Sequence, residues 1–431
     1  MKSFVHAAAV AGLVGLVACA SLSDVPPPSN LVDAGAAQSQ ASALALYNGA
    51  IYAFSLGYAG RSALSYASVS GLFADELTTN LNGLYAAKEA HTGTATDENV
   101  GPYLLLNGAR RSADEAIKSL LVNGGTLPTS YVGELHALKG YVYLMLSELY
   151  CEGVPFSTLA TTGMVAYGTP ETLVEMNTHA IAQFDSVAAY APDSARIRQL
   201  AAIGKGRAYL NLGDFVNAKV AVAAVPTSFV YALTYSANTY TNYVAAIMGV
   251  PNMWMSDREG TNGLDYTSTP DVRMLRTIVN GRPFPAKFLP AGTSIPLANG
   301  VEARLIEAEA ALHDHDVTGW ATTLNGLRTS GGATPIAALT ADSTTAAADT
   351  LRVNVMFRER AFWLYGTGHR QGDMRRLIRQ YGRPPERVYS VGILDLSPSP
   401  SILYVPSAVL EIPQAEADQN PNYHGCLNHE A

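Results

Sequence analysis

Leu135, Leu138, Val142, Met145 and Leu149 recur at i, i+3, i+7, i+10 and i+14, which draws one apolar stripe down a helix. Gly153 and Pro155 close that helix. The same period governs most of the chain from Leu31 onward, so the sequence predicts a mainly helical, all-α fold. Between Leu200 and Val225, the small residues Ala202, Gly204, Ala208 and Ala218 surround the turn Gly213-Asp214-Phe215, and Pro226 ends the second segment. Two short helices joined this way have the form of a tetratricopeptide-like pair, because Ala and Gly let the helix axes approach closely. A second pair is expected from Val301 to Thr329, with Trp320, Leu324 and Leu327 along its second helix. A further helical segment, Arg110 to Leu121, precedes the Glu134 helix. These units differ in sequence and spacing, so residues 31–431 read as one helical domain with insertions.

The N-terminus reads as an address. Lys2 precedes an uncharged, mostly apolar run from Phe4 to Ala18, too short to span a bilayer comfortably but of signal-peptide length. It ends in Leu16-Val17-Ala18-Cys19, which resembles the lipobox of bacterial lipoproteins. Residues 1–18 are therefore expected to be a signal peptide and Cys19 the lipid attachment site. Residues 19–30, with Pro26-Pro27-Pro28, are expected to form a flexible tether. Such a protein is exported and held at a membrane by acyl chains without crossing it. With Cys19 lipidated, Cys151 and Cys426 remain as an even pair in an oxidising compartment, and one disulfide between them is expected.

Several function classes lack support. The chain has 28 Lys and Arg against 36 Asp and Glu, a net charge of −8, which disfavours nucleic acid as a partner. No Cys/His cluster has zinc spacing, and His313-Asp314-His315-Asp316 reads as a polar turn between helices, so no metal or cofactor is expected. Gly-x-Ser-x-Gly, P-loop and His-Glu-x-x-His motifs are absent. Glu307 and Glu309 face different directions on a helix, and Asp75-Glu76 sits at a probable helix end, so neither pair reads as glycosidase carboxylates. The cluster of Glu359, Arg360, Arg370, Asp373, Arg375 and Arg376 reads as an ion-pair network pinning two helices. The chain is not expected to be an enzyme.

Binding remains. From Thr227 to Pro296 the periodicity weakens and Tyr, Thr, Asn, Gly and Pro dominate, the mark of a long irregular excursion where a helical scaffold places ligand contacts. Its aromatics alternate with Asn238, Asn242, Asn252, Asp257, Arg258 and Asn262, which suits a sugar with an apolar face and a hydroxyl rim. Tyr240, Tyr243, Trp254 and Tyr266 are the candidate stacking residues. A second loop-like stretch runs from Ser330 to Thr345.

Four segments then carry a resemblance. They are Val301 to Ala310, Leu324-Asn325-Gly326-Leu327-Arg328, the run Phe357 to Trp363 with Gly368-His369-Arg370 and Asp373 to Arg376, and Ile412-Pro413-Gln414-Ala415-Glu416 followed by Asn420-Pro421-Asn422. In that order they resemble the SusD/RagB family of outer-membrane nutrient-binding lipoproteins. Weaker likeness reaches Asp75-Glu76-Leu77 and Gly140-Tyr141 through Tyr150 to Pro155. The family's usual acidic residues are missing from Trp363 to Thr367. The resemblance implies tetratricopeptide-like pairs with excursions forming a ligand face. It also implies capture of a glycan or peptide nutrient at the outer membrane, above a SusC-like TonB-dependent transporter. The alternative is an envelope scaffold lipoprotein that binds only protein partners.

Overall fold

Among the described residues, twelve α-helices of seven residues or more supply the frame, and several begin on a capping side chain. The computed structural model describes residues 38–60, 64–79, 100–160, 164–249, 253–336, 346–394, 402–404 and 407–431. The expected signal peptide (1–18), Cys19, the tether (19–30), Asn252 and the 337–345 part of the second loop lie outside the described residues. Helix α1 (Gln40–Ala59) starts on Ser39, whose hydroxyl accepts the Ser42 N–H. It is followed by α2 (Tyr66–Phe73), α3 (Val100–Asn123) and α4 (Ser130–Leu149). Helix α5 (Leu173–Tyr190) opens with a capping box between Thr172 and Glu175. Helices α6 (Ala195–Asn211) and α7 (Phe215–Val222) are joined through Gly213, at φ 74°, and Asp214, which caps α7. Then come α8 (Tyr243–Gly249), α9 (Gly300–His313), α10 (Val317–Ser330), α11 (Ala346–Trp363) and α12 (His369–Arg379).

The expected pairs form. Helix α1 packs on α3, α4 on α5, α6 on α7, and α9 on α10, while α7 and α9 join the last two pairs. Small residues do here what the sequence required. The Phe184 ring of α5 lies so close to Gly140 of α4 and Gly204 of α6 that a Cβ at either would fall within 2.5 Å of it. His313-Asp314-His315-Asp316 is a helix–helix turn: Asp316 caps α10 through the Gly319 N–H, and His313 stacks on Phe215 with ring centroids 4.0 Å apart.

The excursion is more ordered than its weak periodicity predicts. Strand Val230–Leu233 pairs with Ile295–Asn299, and Met253–Met255 pairs with Leu77–Thr79, all antiparallel. Arg276–Val279 and Arg282–Pro285 form a hairpin turned by Asn280 and Gly281, both at positive φ. Val230, Val272, Leu275 and Ile278 stay exposed, but most of the excursion's large aromatics turn inward. Tyr231, Tyr243, Met253, Tyr266, Phe284 and Phe288 enter the same core as α4, α5 and α6.

Polar joints tie this core across long sequence distances. Glu148 on α4 accepts from Tyr66 on α2 and from Arg207 and Asn211 on α6. Arg360 and Arg376 grip Asp373, and Arg376 also bonds Glu309. Glu359 pairs with Arg273 and Arg328. Asn420 donates to Gly168 O and Glu416, and Glu416 accepts from Tyr103. A disulfide joins Cys151 to Cys426 with Cα atoms 5.9 Å apart, and Glu152 bridges Asn428 beside it. No helix among the described residues is long and apolar enough to cross a membrane.

Candidate functional site

The four aromatics chosen from the sequence separate into two kinds. Tyr243 is fully buried, its hydroxyl donating to Gly366 O at 2.9 Å, so it offers no ring face to a ligand. Tyr266 is 1% exposed and packed between Phe362 and Tyr365, which removes it from stacking as well. Both serve the core because the excursion folds down onto α11 and its following turn. Tyr240 and Trp254 are half-buried. The Tyr240 ring meets Tyr52 and Tyr235 edge-on, at 4.9 and 5.8 Å, and Tyr52 is largely exposed. The Arg282 guanidinium sits 3.3 Å over the Trp254 ring and covers one of its faces.

A cavity of about 340 Å³ lies where the excursion meets the C-terminal helices. Its walls come from the loop 262–266, from α11, from α12, from the segment 387–390, and from Asp75 at the end of α2. Asn262 fixes the mouth, donating to Glu386 O and Tyr389 O and accepting the Val391 N–H. Asp75 takes a left-handed backbone, φ 56°, that turns the chain from α2 into strand Leu77–Thr79. Phe357, Met374 and Leu377 give the cavity an apolar floor.

The charged lining is unusual for its distribution of partners. Arg358 pairs with Asp265 at 2.6 Å. Burial pushes Asp265 up, but hydrogen bonds from Thr269 and Arg358 outweigh it and hold the carboxyl at about 2. Arg387 is exposed at the rim. Arg370 is only 8% exposed, yet among the described residues no carboxylate lies within ion-pair distance and its one acceptor is Phe357 O at 3.4 Å. The Tyr266 hydroxyl is buried without any hydrogen-bond partner among the described residues. Burial raises its pKa, with Arg370 the leading opposing influence, so it remains a phenol able to donate.

Behind Arg370 lies Glu76, 1% exposed. Burial pushes its carboxyl up to about 8 against the pull of Arg370 and the Gly366 N–H. One Glu76 oxygen faces that N–H at 3.4 Å and the other has no hydrogen-bond partner among the described residues. The Asp75-Glu76 pair, expected at a helix end, thus divides, with Asp75 on the cavity and Glu76 sealed beneath it. Arg370 is likewise set apart from the network in which its sequence neighbours are bound. A signal existed: between Phe357 and Gln380 the chain has six arginines but only Glu359 and Asp373 as acids, so at least one guanidinium must look elsewhere.

Comparison with solved structures places this arrangement in a known architecture. No protein-family model and no curated protein sequence matches the chain. A SusD superfamily protein from Bacteroides fragilis superposes with a TM-score of 0.66 at 17% identity, covering 90% of this chain and 99% of its own. A SusD-like protein from Bacteroides fragilis NCTC 9343 gives 0.65 at 12% identity, covering 92% and 98%. A SusD-like carbohydrate binding protein from Bacteroides vulgatus gives 0.61 at 14% identity, covering 90% and 97%. The fold is SusD-like over nearly all of the chain, and the resemblance carried by the four motifs holds at that level.

Proposed function

We propose that this protein binds a nutrient, a glycan or a peptide, and passes it to a SusC-like TonB-dependent transporter in the outer membrane. In this reading Cys19 carries the lipid that holds residues 31–431 at the surface through the 19–30 tether. The observation that carries the binding role is the SusD-like fold over 90% of the chain, shared with a neighbour described as a carbohydrate binding protein. Two local features support it: half-buried Tyr240 against exposed Tyr52, with Trp254 also half-buried, and a walled cavity with an apolar floor. Those surroundings suit saccharide C–H faces and hydroxyls better than they suit bond cleavage, so the role is binding without chemistry. The scaffold alternative is disfavoured because the excursion fills the core between helix pairs, where a scaffold needs an open peptide groove.

The test is a titration of the purified mature protein against an oligosaccharide and oligopeptide panel by calorimetry. Micromolar binding to at least one member is the expected outcome, that is, roughly −8 kcal/mol. A protein silent to the whole panel that instead captures envelope proteins stoichiometrically would favour the scaffold. Membrane fractionation of Cys19→Ala tests the anchor: the variant is expected in the soluble or unprocessed fraction.

A further inference from the structure

Arg370 and Tyr266 present a combination that folding does not explain. A guanidinium taken out of water without a counter-charge costs stability, and so does a buried phenol with no acceptor. Proteins normally satisfy such groups, and this chain does so for Arg207, Arg273, Arg360 and Arg376, each of which bonds a carboxylate. Within the same motif Arg370 and Arg375 lack a carboxylate partner among the described residues, but Arg375 donates to the backbone carbonyls of Ser147 and Tyr150, whereas Arg370 lines the cavity. One Arg370 N–H group reaches Phe357 O, no second acceptor for its guanidinium is found among the described residues, and the side chain lines the cavity. Tyr266, whose hydroxyl is buried without a partner among the described residues, lines the same wall. Arg387 stands exposed at the rim, while Arg358 is already neutralised by Asp265.

The charge balance follows directly. Setting aside the Arg358–Asp265 pair, the lining keeps Arg370 and Arg387 against Asp75, one positive charge in excess. Glu76 beneath Arg370 is held largely protonated at neutral pH and does not cancel it. Asp75 is turned to the Tyr404 hydroxyl at 3.1 Å. The unmet donors are a planar guanidinium fork and a phenol, the geometry that fits the two oxygens of a carboxylate. The apolar floor of Phe357 and Met374 lies beside them, and Asn354 at the edge adds a polar amide. Such a lining suits a ring with a C–H face, a hydroxyl rim and one acidic substituent.

We infer that the cavity between the 262–266 loop and helices α11 and α12 is a binding site for a carboxylated sugar, its carboxylate held by Arg370 and the Tyr266 hydroxyl. The inference rests on the nutrient-binding reading and narrows it to uronic-acid glycans. The probes are trigalacturonate, the neutral oligosaccharide of the same length and linkage, and triglutamate. Each is titrated against wild type and against Arg370→Gln, Tyr266→Phe and Arg387→Gln, with circular dichroism to confirm folding. Wild type is expected to bind trigalacturonate at least tenfold more tightly than the neutral sugar. Arg370→Gln should remove most of that preference and Tyr266→Phe part of it. Arg387→Gln, altering an exposed residue, keeps the test open if the buried variants misfold; it should weaken trigalacturonate binding severalfold and steepen nothing for the neutral sugar. Equal binding of the neutral sugar overturns the acid assignment but leaves the glycan-binding role standing. Tighter binding of triglutamate overturns the sugar assignment. Absence of trigalacturonate binding, or binding indifferent to all three substitutions, overturns the site itself.

Discussion

Replacing Glu148 with Ala exposes how much of the fold rests on one buried carboxylate. Glu148 accepts the Arg207 Nε–H at 2.7 Å, the Asn211 amide at 3.0 Å and the Tyr66 hydroxyl at 3.0 Å, with a second contact from Arg207. Its side chain is 3% exposed and that of Arg207 5%. Burial alone would raise the Glu148 pKa, but Arg207 and Asn211 together bring it below the ordinary value of 4.5. The native ion pair is therefore a stabilising term at neutral pH that disappears as the pH falls below about 4.5. Glu148→Ala leaves Arg207 buried with the Tyr66 hydroxyl, at 3.4 Å, as its remaining hydrogen-bond partner among the described residues. Breaking one side of such a pair costs about 3–5 kcal/mol. The double variant Glu148→Met/Arg207→Met removes both charges and should fall within about 1 kcal/mol of wild type, because the desolvation penalty goes with the pair. Urea unfolding read at constant m-value measures each variant. A loss under about 1 kcal/mol for Glu148→Ala, or a double variant as unstable as the single, would refute the reasoning.

Two further outcomes are expected. The Glu76 carboxyl is raised from 4.5 to about 8 in the folded chain, so the stability of its protonated form is complete below pH 4.5 and is lost as the pH rises to 8. Glu76→Gln should flatten that window, gaining on the order of 3–5 kcal/mol over wild type at pH 8 and little at pH 4; parallel stability profiles for the two proteins would contradict it. The disulfide spans 275 residues of chain, for which loop entropy gives about 5 kcal/mol, so Cys151→Ser/Cys426→Ser should unfold at markedly lower urea than the oxidised protein, and verified reduction without any shift would count against it.

The motifs that made the fold legible are its joints. Arg328 meets Glu359, Asp373 bridges Arg360 and Arg376, and Asn420 ties Gly168, so their spacing reports helix packing. Helix pairing was legible for the same reason, because Gly140 and Gly204 must both clear Phe184. The ligand face was less legible. Period and composition distinguish a half-wet surface from a helix, but they do not say which Tyr points inward. Tyr243 and Tyr266 are buried by partners more than 90 residues later, at Gly366 and Phe362, and no local pattern encodes such distances. Arg370 was hidden by its neighbours, since Arg358, Arg360 and Arg376 bond carboxylates and Arg375 and Arg379 reach carbonyls of other helices, while Arg370 has only the Phe357 carbonyl, at 3.4 Å, among the described residues.

The excursion's descent into the core has a consequence for how the chain gains and loses its shape. Stacked helical repeats can fray from either end, since each touches only its neighbours. Here Tyr66 reaches Gly368, 302 residues away, Tyr365 reaches the Glu76 carbonyl across 289, and Tyr235 reaches Ser55 across 180. These ties cross the stack and deny it independent ends. Unfolding should proceed as a single cooperative event in place of stepwise peeling, and folding should be slow for a helical protein, because the chain must close several of its longest loops before the core rewards it.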